Sequence, residues 1–399
     1  MVRESFRSRW FALVFLSAFA VELCNSLLVH FPGYLLELGA DEVRIGLIVG
    51  VAGLATIVVR PWVGRFMDEH GRRLVIRTGT LLVAASTLAM AYISQIGVAL
   101  VGVRLVQGIG QAVTITAFWT YIADRVPVAN RAQGIAVFSI SGLLPMGISP
   151  ALGDLVLSTG WSYQGLFLIA AGFSLVAFIL SLFLHKSGVS TGATTTGFRA
   201  VLGSEALRPV WVATVFLSIA FTTAFVFVKT YATTSGLNSV GPFFSAFALA
   251  AIVWRLVFGG LPDNVGLKKV IGPGLASFAI GLSIVGVVGG TGGLALGGFF
   301  AGLGHGISFP AILAMATTRA AVGDRGTVTA VLTAVFDLVL FAIAPFLGLV
   351  IAIYGYPAMF LAVSCVVIGG IAAFYRFDRR TTGISSTPVE PATAPIPRA

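Results

Sequence analysis

The chain has 399 residues, of which 57% are hydrophobic and only 10% charged, and it carries a formal net charge of +10. A water-soluble domain of that size needs far more charge to cover its surface, so a soluble enzyme or binding module is excluded. In so apolar a chain the excess of Lys and Arg reports orientation across a bilayer rather than a nucleic-acid partner, because these cations collect in cytoplasmic loops.

Apolar runs of about twenty residues recur along the chain, each long enough to cross ~30 Å of hydrocarbon at ~1.5 Å per residue. They predict twelve helical spans, at 10–33, 42–63, 74–94, 98–122, 132–156, 162–184, 209–233, 241–262, 269–289, 292–317, 327–353 and 356–376. Lipid cannot satisfy the backbone of an open sheet, so the fold class is an all-α polytopic membrane protein. The first run is too long for a cleavable signal peptide and lacks a small-residue cleavage site, so it reads as span one. Cys24 and Cys365 fall inside spans and read as packing residues.

Span one carries Glu22 and Asn25, and a charged stretch, "GRFMDEHGRR" (64–73), follows span two. Span four holds Arg104, Gln107, Gln111 and Trp119, and span five holds Pro145, Pro150 and Gly153. Residues 185–208, rich in Ser, Thr and Gly, form a natural linker. Span seven contains Phe221, Phe225 and Lys229, span ten His305 and Pro310, and span eleven Asp337, Pro345 and Gly348. The polar, Pro-rich residues 379–399 read as a disordered tail.

With the N-terminus inside, nearly all 25 Lys and Arg fall in inner segments or at adjoining helix ends, the exceptions being Arg44, Arg104 and Lys229. This asymmetry predicts a multi-pass protein of the cell membrane with both termini cytoplasmic. The chain also repeats. A shift of 195 maps Arg60 to Arg255, Gly64 to Gly259, Asp68 to Asp263, Gly71 to Gly266 and Arg73 to Lys268, and "PALG" (150–153) to "PFLG" (345–348). Duplicated halves are common in secondary transporters. The expected organisation is an N-terminal six-helix half (1–184), the linker (185–208), a C-terminal half (209–378) and the tail.

Charges inside spans are costly and by default face a cavity with a partner. Glu22 and Asp337 are therefore the expected proton sites, with Arg104 charge-balancing or orienting the site. His305, Lys229, Asn25 and Gln107 are further lining residues, and Gln111, Trp119, Phe221 and Phe225 are weaker ones. Pro150, Gly153, Pro345 and Gly348 are expected bend positions, since proline removes a backbone donor.

Together the motifs resemble the major facilitator superfamily. The family's loop signature between spans two and three is met by Gly64, Asp68, Gly71, Arg72 and Arg73, with Glu69 where a cation is usual. "RLVQGIG" (104–110) fits a second signature in span four. The span-five signature of proton-driven exporters is met in part: Pro150 and Gly153 fit, while Ser149 and Asp154 replace glycines. "GLGHGISFP" (302–310) looks like bacterial sugar-efflux members.

The resemblance implies two pseudo-symmetric six-helix halves and a cytoplasmic gate formed by Gly64, Asp68, Gly71, Arg72, Arg73 and Asp124 with Gly259, Asp263, Gly266 and Lys268. In it Arg72 pairs with an acid at the end of span four, here Asp124, and the two clusters hold the inward-closed state. It also implies that spans one and four are neighbours, which brings Arg104 within reach of Glu22. The expected activity is proton-coupled export of a small organic molecule, a sugar or amphipathic drug-like compound, by a monomer in the lipid bilayer. The rivals are an importer or uniporter of the same fold and a non-transporting sensor, which would usually carry a soluble output domain. No phosphate-binding Gly-Lys-Ser/Thr loop and no metal-ligand spacing is present, so the expectation is no enzyme, no metal and no cofactor, with protons as coupling ion.

Overall fold

The computed structural model describes residues 9–126, 131–185, 197–237, 239–320 and 324–382. Every regular element among them is a helix. In chain order the spanning helices are α1 (Arg9–Glu37), α2 (Glu42–His70), α3 (Arg72–Met90), α4 (Val98–Arg125), α5 (Arg131–Ser158), α6 (Tyr163–Leu182), α7 (Glu205–Thr234), α8 (Gly241–Phe258), α9 (Leu267–Val288) and α10 (Gly290–Arg319). The last helix, Arg325–Thr382, runs 58 residues but is broken at Gly355 (φ 80°, ψ 170°). It therefore makes two passes, α11 (325–354) and α12 (356–382), and eleven long apolar helices give twelve crossings.

Local chemistry sets the boundaries. Asp41 caps α2, its Oδ1 accepting from the Arg44 amide at 2.8 Å. Pro32 has no amide to donate to Leu28, and α1 tightens to a 3-10 turn over Leu28–His30 just there. Inside α7 a π turn, Thr223–Phe227, inserts one extra residue. The charged stretch 64–73, expected as a loop, is helix almost throughout: α2 continues to His70 and only Gly71 turns the chain. Gly71 and its repeat partner Gly266 take φ of 81° and 94°, a region open to glycine at little cost, and each ends one helix while starting the next. The expected linker contains a short helix, Phe198–Gly203, and helix persists into the expected tail as far as Thr382. Residues 383–399 lie outside the described residues.

Within the first half α1 packs on α5 and α6, α2 on α4, and α3 on α4 and α6; within the second α8 packs on α10, and α9 on α10 and α12. The halves meet along α2–α11 and α5–α8, with the ends of α1 and α7 touching. Lipid provides no hydrophobic drive between helices, so close approach through small residues holds them. A Cβ on Gly108 would sit 2.3 Å from the Ala52 carbonyl oxygen, and one on Gly302 would sit 2.1 Å from that of Phe247. Shifts of 194 and 195 relate these two contacts, so the repeat in sequence is also a repeat in packing. Gly302→Ala is expected to destabilise the protein by about 2 kcal/mol, the cost of overpacking. Gly102→Ala, whose Cβ meets nothing within 4 Å, should leave thermal unfolding in detergent unchanged.

Candidate functional site

Glu22 and Asn25 are three residues apart on one face of α1, and Arg104, Gln107 and Gln111 share one face of α4. Facing each other, they form a polar cluster within the first half. Asn25 Nδ2 donates to Glu22 Oε2 at 3.3 Å, and Gln111 Nε2 donates to Asn25 Oδ1 at 3.0 Å. Arg104 is buried (7% exposed) and does not pair with Glu22 as expected. Its guanidinium donates to Gln107 Oε1 and to the Val49 carbonyl, the latter at 3.3 Å, and lies 4.6 Å over the Phe31 ring. The reason is depth: Phe31 is nine residues beyond Glu22 along α1, roughly 13 Å at ~1.5 Å per residue, and Arg104 turns toward Phe31.

In the second half His305 sits among aromatic rings. Phe221, Phe247 and Phe309 each lie 5.4 Å from it, centroid to centroid. Phe221 also stacks on Phe225 at 3.9 Å and meets Phe336 edge-on at 5.2 Å. A shift of 194 relates His305 to Gln111, so the two halves present repeat-related polar residues from α4 and α10. Trp119 packs edge-on against Phe138 at 5.1 Å.

Asp337 has a partner that sequence reasoning missed. Arg60 of α2 donates to its Oδ2 from Nε at 2.9 Å and from a terminal nitrogen at 2.6 Å, crossing between the halves. The repeat had singled out Arg60, but a cation near a span end reads first as a topology anchor. The Gly residues of α2 make this approach possible: a Cβ on Gly53 would lie 2.8 Å from the Asp337 carbonyl oxygen, and one on Gly46 2.4 Å from that of Ala344.

At the end of the bundle opposite the termini, the far end, Asp154 of α5 ties the halves. It accepts from Lys229 Nζ of α7 at 3.2 Å, from Ser239 Oγ at 2.7 Å and from the Val240 amide at 2.7 Å, and it also takes the Gly241 amide at the start of α8. His30 Nδ1 lies 3.8 Å away and His30 Nε2 meets the Pro150 carbonyl at 3.0 Å. Lys229, expected as a lining residue, is thus buried in an ion pair at the far end. The two residues that break the span-five signature both bond across helices, since Ser149 Oγ donates to the Leu23 carbonyl at 3.1 Å. Gly153 and Gly348 serve close approach more than bending: added Cβ atoms would meet His30 Nε2 at 2.3 Å and the Glu42 carbonyl oxygen at 2.3 Å. Pro150 and Pro345 lie inside their helices.

At the near end, which carries the termini, Arg72 Nε donates to Asp124 Oδ2 at 2.8 Å, and its terminal nitrogen reaches the Met67 carbonyl at 3.2 Å. In the second half Lys268 pairs with Asp378 at 2.5 Å, and Arg319 binds the other oxygen of the same carboxylate. Arg73 starts α3 beside Arg72, and Gly259 ends α8. The side chains of Asp68 and Asp263, and the surroundings of Gly64, lie outside the described residues.

A twelve-pass helical protein with two packing-related halves, a polar centre and charged ties at both ends is built as a membrane transporter rather than an enzyme. The sequence profile of the Major Facilitator Superfamily matches residues 10–271 and 238–398, and the chain belongs to that family. A relative in Escherichia coli K12, the uncharacterized MFS-type transporter YhhS, is 27% identical over 362 residues, covering 88% of this chain and 87% of the relative. Among solved structures, a POT family transporter in complex with 5-aminolevulinic acid superposes with a TM-score of 0.78 at 14% identity, over 93% of this chain and 96% of that one. The nucleoside transporter NupG superposes at 0.71 and 15% identity, over 92% of this chain and 98% of that one. At such identities the likeness shows the fold alone.

Proposed function

We propose that this transporter exports a small organic solute in exchange for protons, with Glu22 as the proton-carrying group. One observation carries the reading. Of the in-span acids Glu22, Asp154 and Asp337, the last two are held by cations, while Glu22 is held by a neutral amide. Its carboxyl can be loaded with a proton without breaking an ion pair, and a hydrogen-bond chain through Asn25 connects it to Gln111 of α4. An intramembrane carboxyl of this kind is a functional group by default. In this reading the termini are cytoplasmic, as the distribution of Lys and Arg supports, and a single chain suffices. The far-end tie around Asp154 is then the extracellular gate, and the Arg72–Asp124 and Lys268–Asp378 pairs belong to the cytoplasmic one.

The test uses proteoliposomes and a solute found by thermal-shift screening of the purified protein. Flux should follow an imposed pH gradient in the wild type. Glu22→Gln should make it indifferent to the gradient while solute counterflow persists. Wild-type flux that ignores the gradient would sink the proton-coupled reading. It would favour the importer or uniporter reading instead, which Ser149 and Asp154 in place of the exporter glycines already support.

A further inference from the structure

We propose that Arg255 is the anion-binding group of the substrate site, and that the transported solute is an organic oxyanion with a planar, apolar body. The inference deepens the transport reading above and rests on it. It begins with a broken symmetry. Arg60 and Arg255 are repeat-related, and Arg60 is neutralised by Asp337 of α11. The same shift of 195 that relates the two arginines places Gly142 of α5 where Asp337 stands in α11. The second half has kept the cation, but the position equivalent to its acid is a glycine.

The packing agrees with that reading. Along the α5–α8 seam a Cβ on Gly241 would lie 3.0 Å from Ala151 Cα, and one on Gly147 would lie 2.6 Å from Ala248 Cβ. Ser245 Oγ donates to the Gly147 carbonyl at 2.9 Å. Two turns beyond Ala248, on the same face of α8, comes Arg255. The antiparallel α5 brings Gly142 to that level, and an added Cβ there would meet nothing within 4 Å. So the seam is tight toward the far end and leaves Gly142, toward the near end, without a close neighbour. Arg255 makes no ion pair among the described residues, and its Nε is buried with no hydrogen-bond partner. A buried guanidinium nitrogen without a partner is costly and marks a pathway or a ligand site.

The neighbourhood says what else the ligand carries. Arg255 is 14 residues into α8 and His305 is 15 residues into α10, so both lie roughly 21–23 Å from the far ends of their helices at ~1.5 Å per residue. Ala251, one turn before Arg255, packs on Gly306, next to His305. The His305 ring is framed by Phe221, Phe247 and Phe309, and its buried Nδ1 has no partner either. A guanidinium fork takes a carboxylate or a phosphate-type group through paired N–H bonds, and the aromatic faces beside it suit a flat apolar body. The shared ligand chemistry is therefore an oxyanion joined to an aromatic or similarly flat group.

The experiment measures binding to the purified full chain in detergent, by calorimetry, with benzoate, phenylphosphonate and the neutral benzamide. The wild type should bind at least one anion, and more tightly than benzamide; which anion wins separates the carboxylate from the phosphonate source. Arg255→Gln should weaken that anion tenfold or more and leave benzamide unchanged, which also shows that the variant is folded. Gly142→Asp keeps Arg255 but gives it the missing carboxylate, and should weaken the anion to a similar degree. The proposal is overturned if benzamide binds the wild type as tightly as the anions, if neither anion binds, or if both variants bind anions with wild-type affinity. Because no membrane gradient is present, failure here leaves the proton-coupling test standing. Anion binding with gradient-indifferent flux would remove the coupling alone.

Discussion

Replacing Asp154 by alanine is expected to open the far end of the transporter and to lower its stability by about 3–5 kcal/mol, the cost of leaving one member of a buried ion pair unpaired. Lys229 is 5% exposed and Asp154 is its ion-pair partner. The same carboxylate receives the Ser239 hydroxyl and the Val240 and Gly241 amides, so its loss also uncaps the start of α8. These contacts join α5 to α7 and α8 across the two halves, and they hold the halves together only at that end. Two readouts separate gate opening from simple unfolding. Thermal unfolding should fall, and an impermeant maleimide added from the face opposite the termini should label a cysteine at position 111 faster, in a background lacking Cys24 and Cys365. Unchanged labelling with an intact fold would remove Asp154 from the gate. The double variant Asp154→Ala, Lys229→Ala should recover part of the stability, because no buried charge is then left alone.

Asp337→Ala should cost about 3 kcal/mol, the lower end for a buried pair, since a fifth of the Asp337 side chain is still reached by solvent. It strands Arg60 at the α2–α11 seam, which the glycines at 46, 50 and 53 bring close together. Transport should be impaired, because the pair joins the two halves along the α2–α11 packing seam. Arg60→Ala paired with Asp337→Ala should be more stable than either single change, and a double-mutant cycle on unfolding measures the coupling. Additive effects would mean that the pair contributes nothing to the seam. Under the proton-coupled reading, Asp337→Asn should retain a pH-gradient response that Glu22→Gln abolishes.

The sequence singles out a polar residue where it stands alone in an apolar run. Glu22, Asn25, Arg104, Gln107 and His305 were visible on that basis, because a buried polar group is improbable without a role. Pairing was not visible. Arg104 is held by Gln107 and Phe31 rather than by Glu22, since depth along α1 decides which side chains it meets. Arg60 and Asp154 were missed as partners because each lies near a span end, where charge is cheap and position alone does not distinguish an anchor from a tie. His30 gave no signal of its own beyond the Gly153 that makes room for it.

By itself the amino-acid sequence determined the class of protein, the helical passes and the family, because hydropathy, turn glycines and signature spacing act over a few residues and need no knowledge of neighbours. The repeat it carries also told which positions are equivalent. Only the tertiary structure decided which equivalents are used alike. Arg60 meets Asp337 across a seam closed by small residues, whereas Arg255, whose repeat-equivalent acid is replaced by Gly142, makes no ion pair among the described residues. That difference lies between helices more than a hundred residues apart in the chain, and in a low-dielectric interior the presence or absence of one opposing carboxylate decides whether a cation is structural or free to bind.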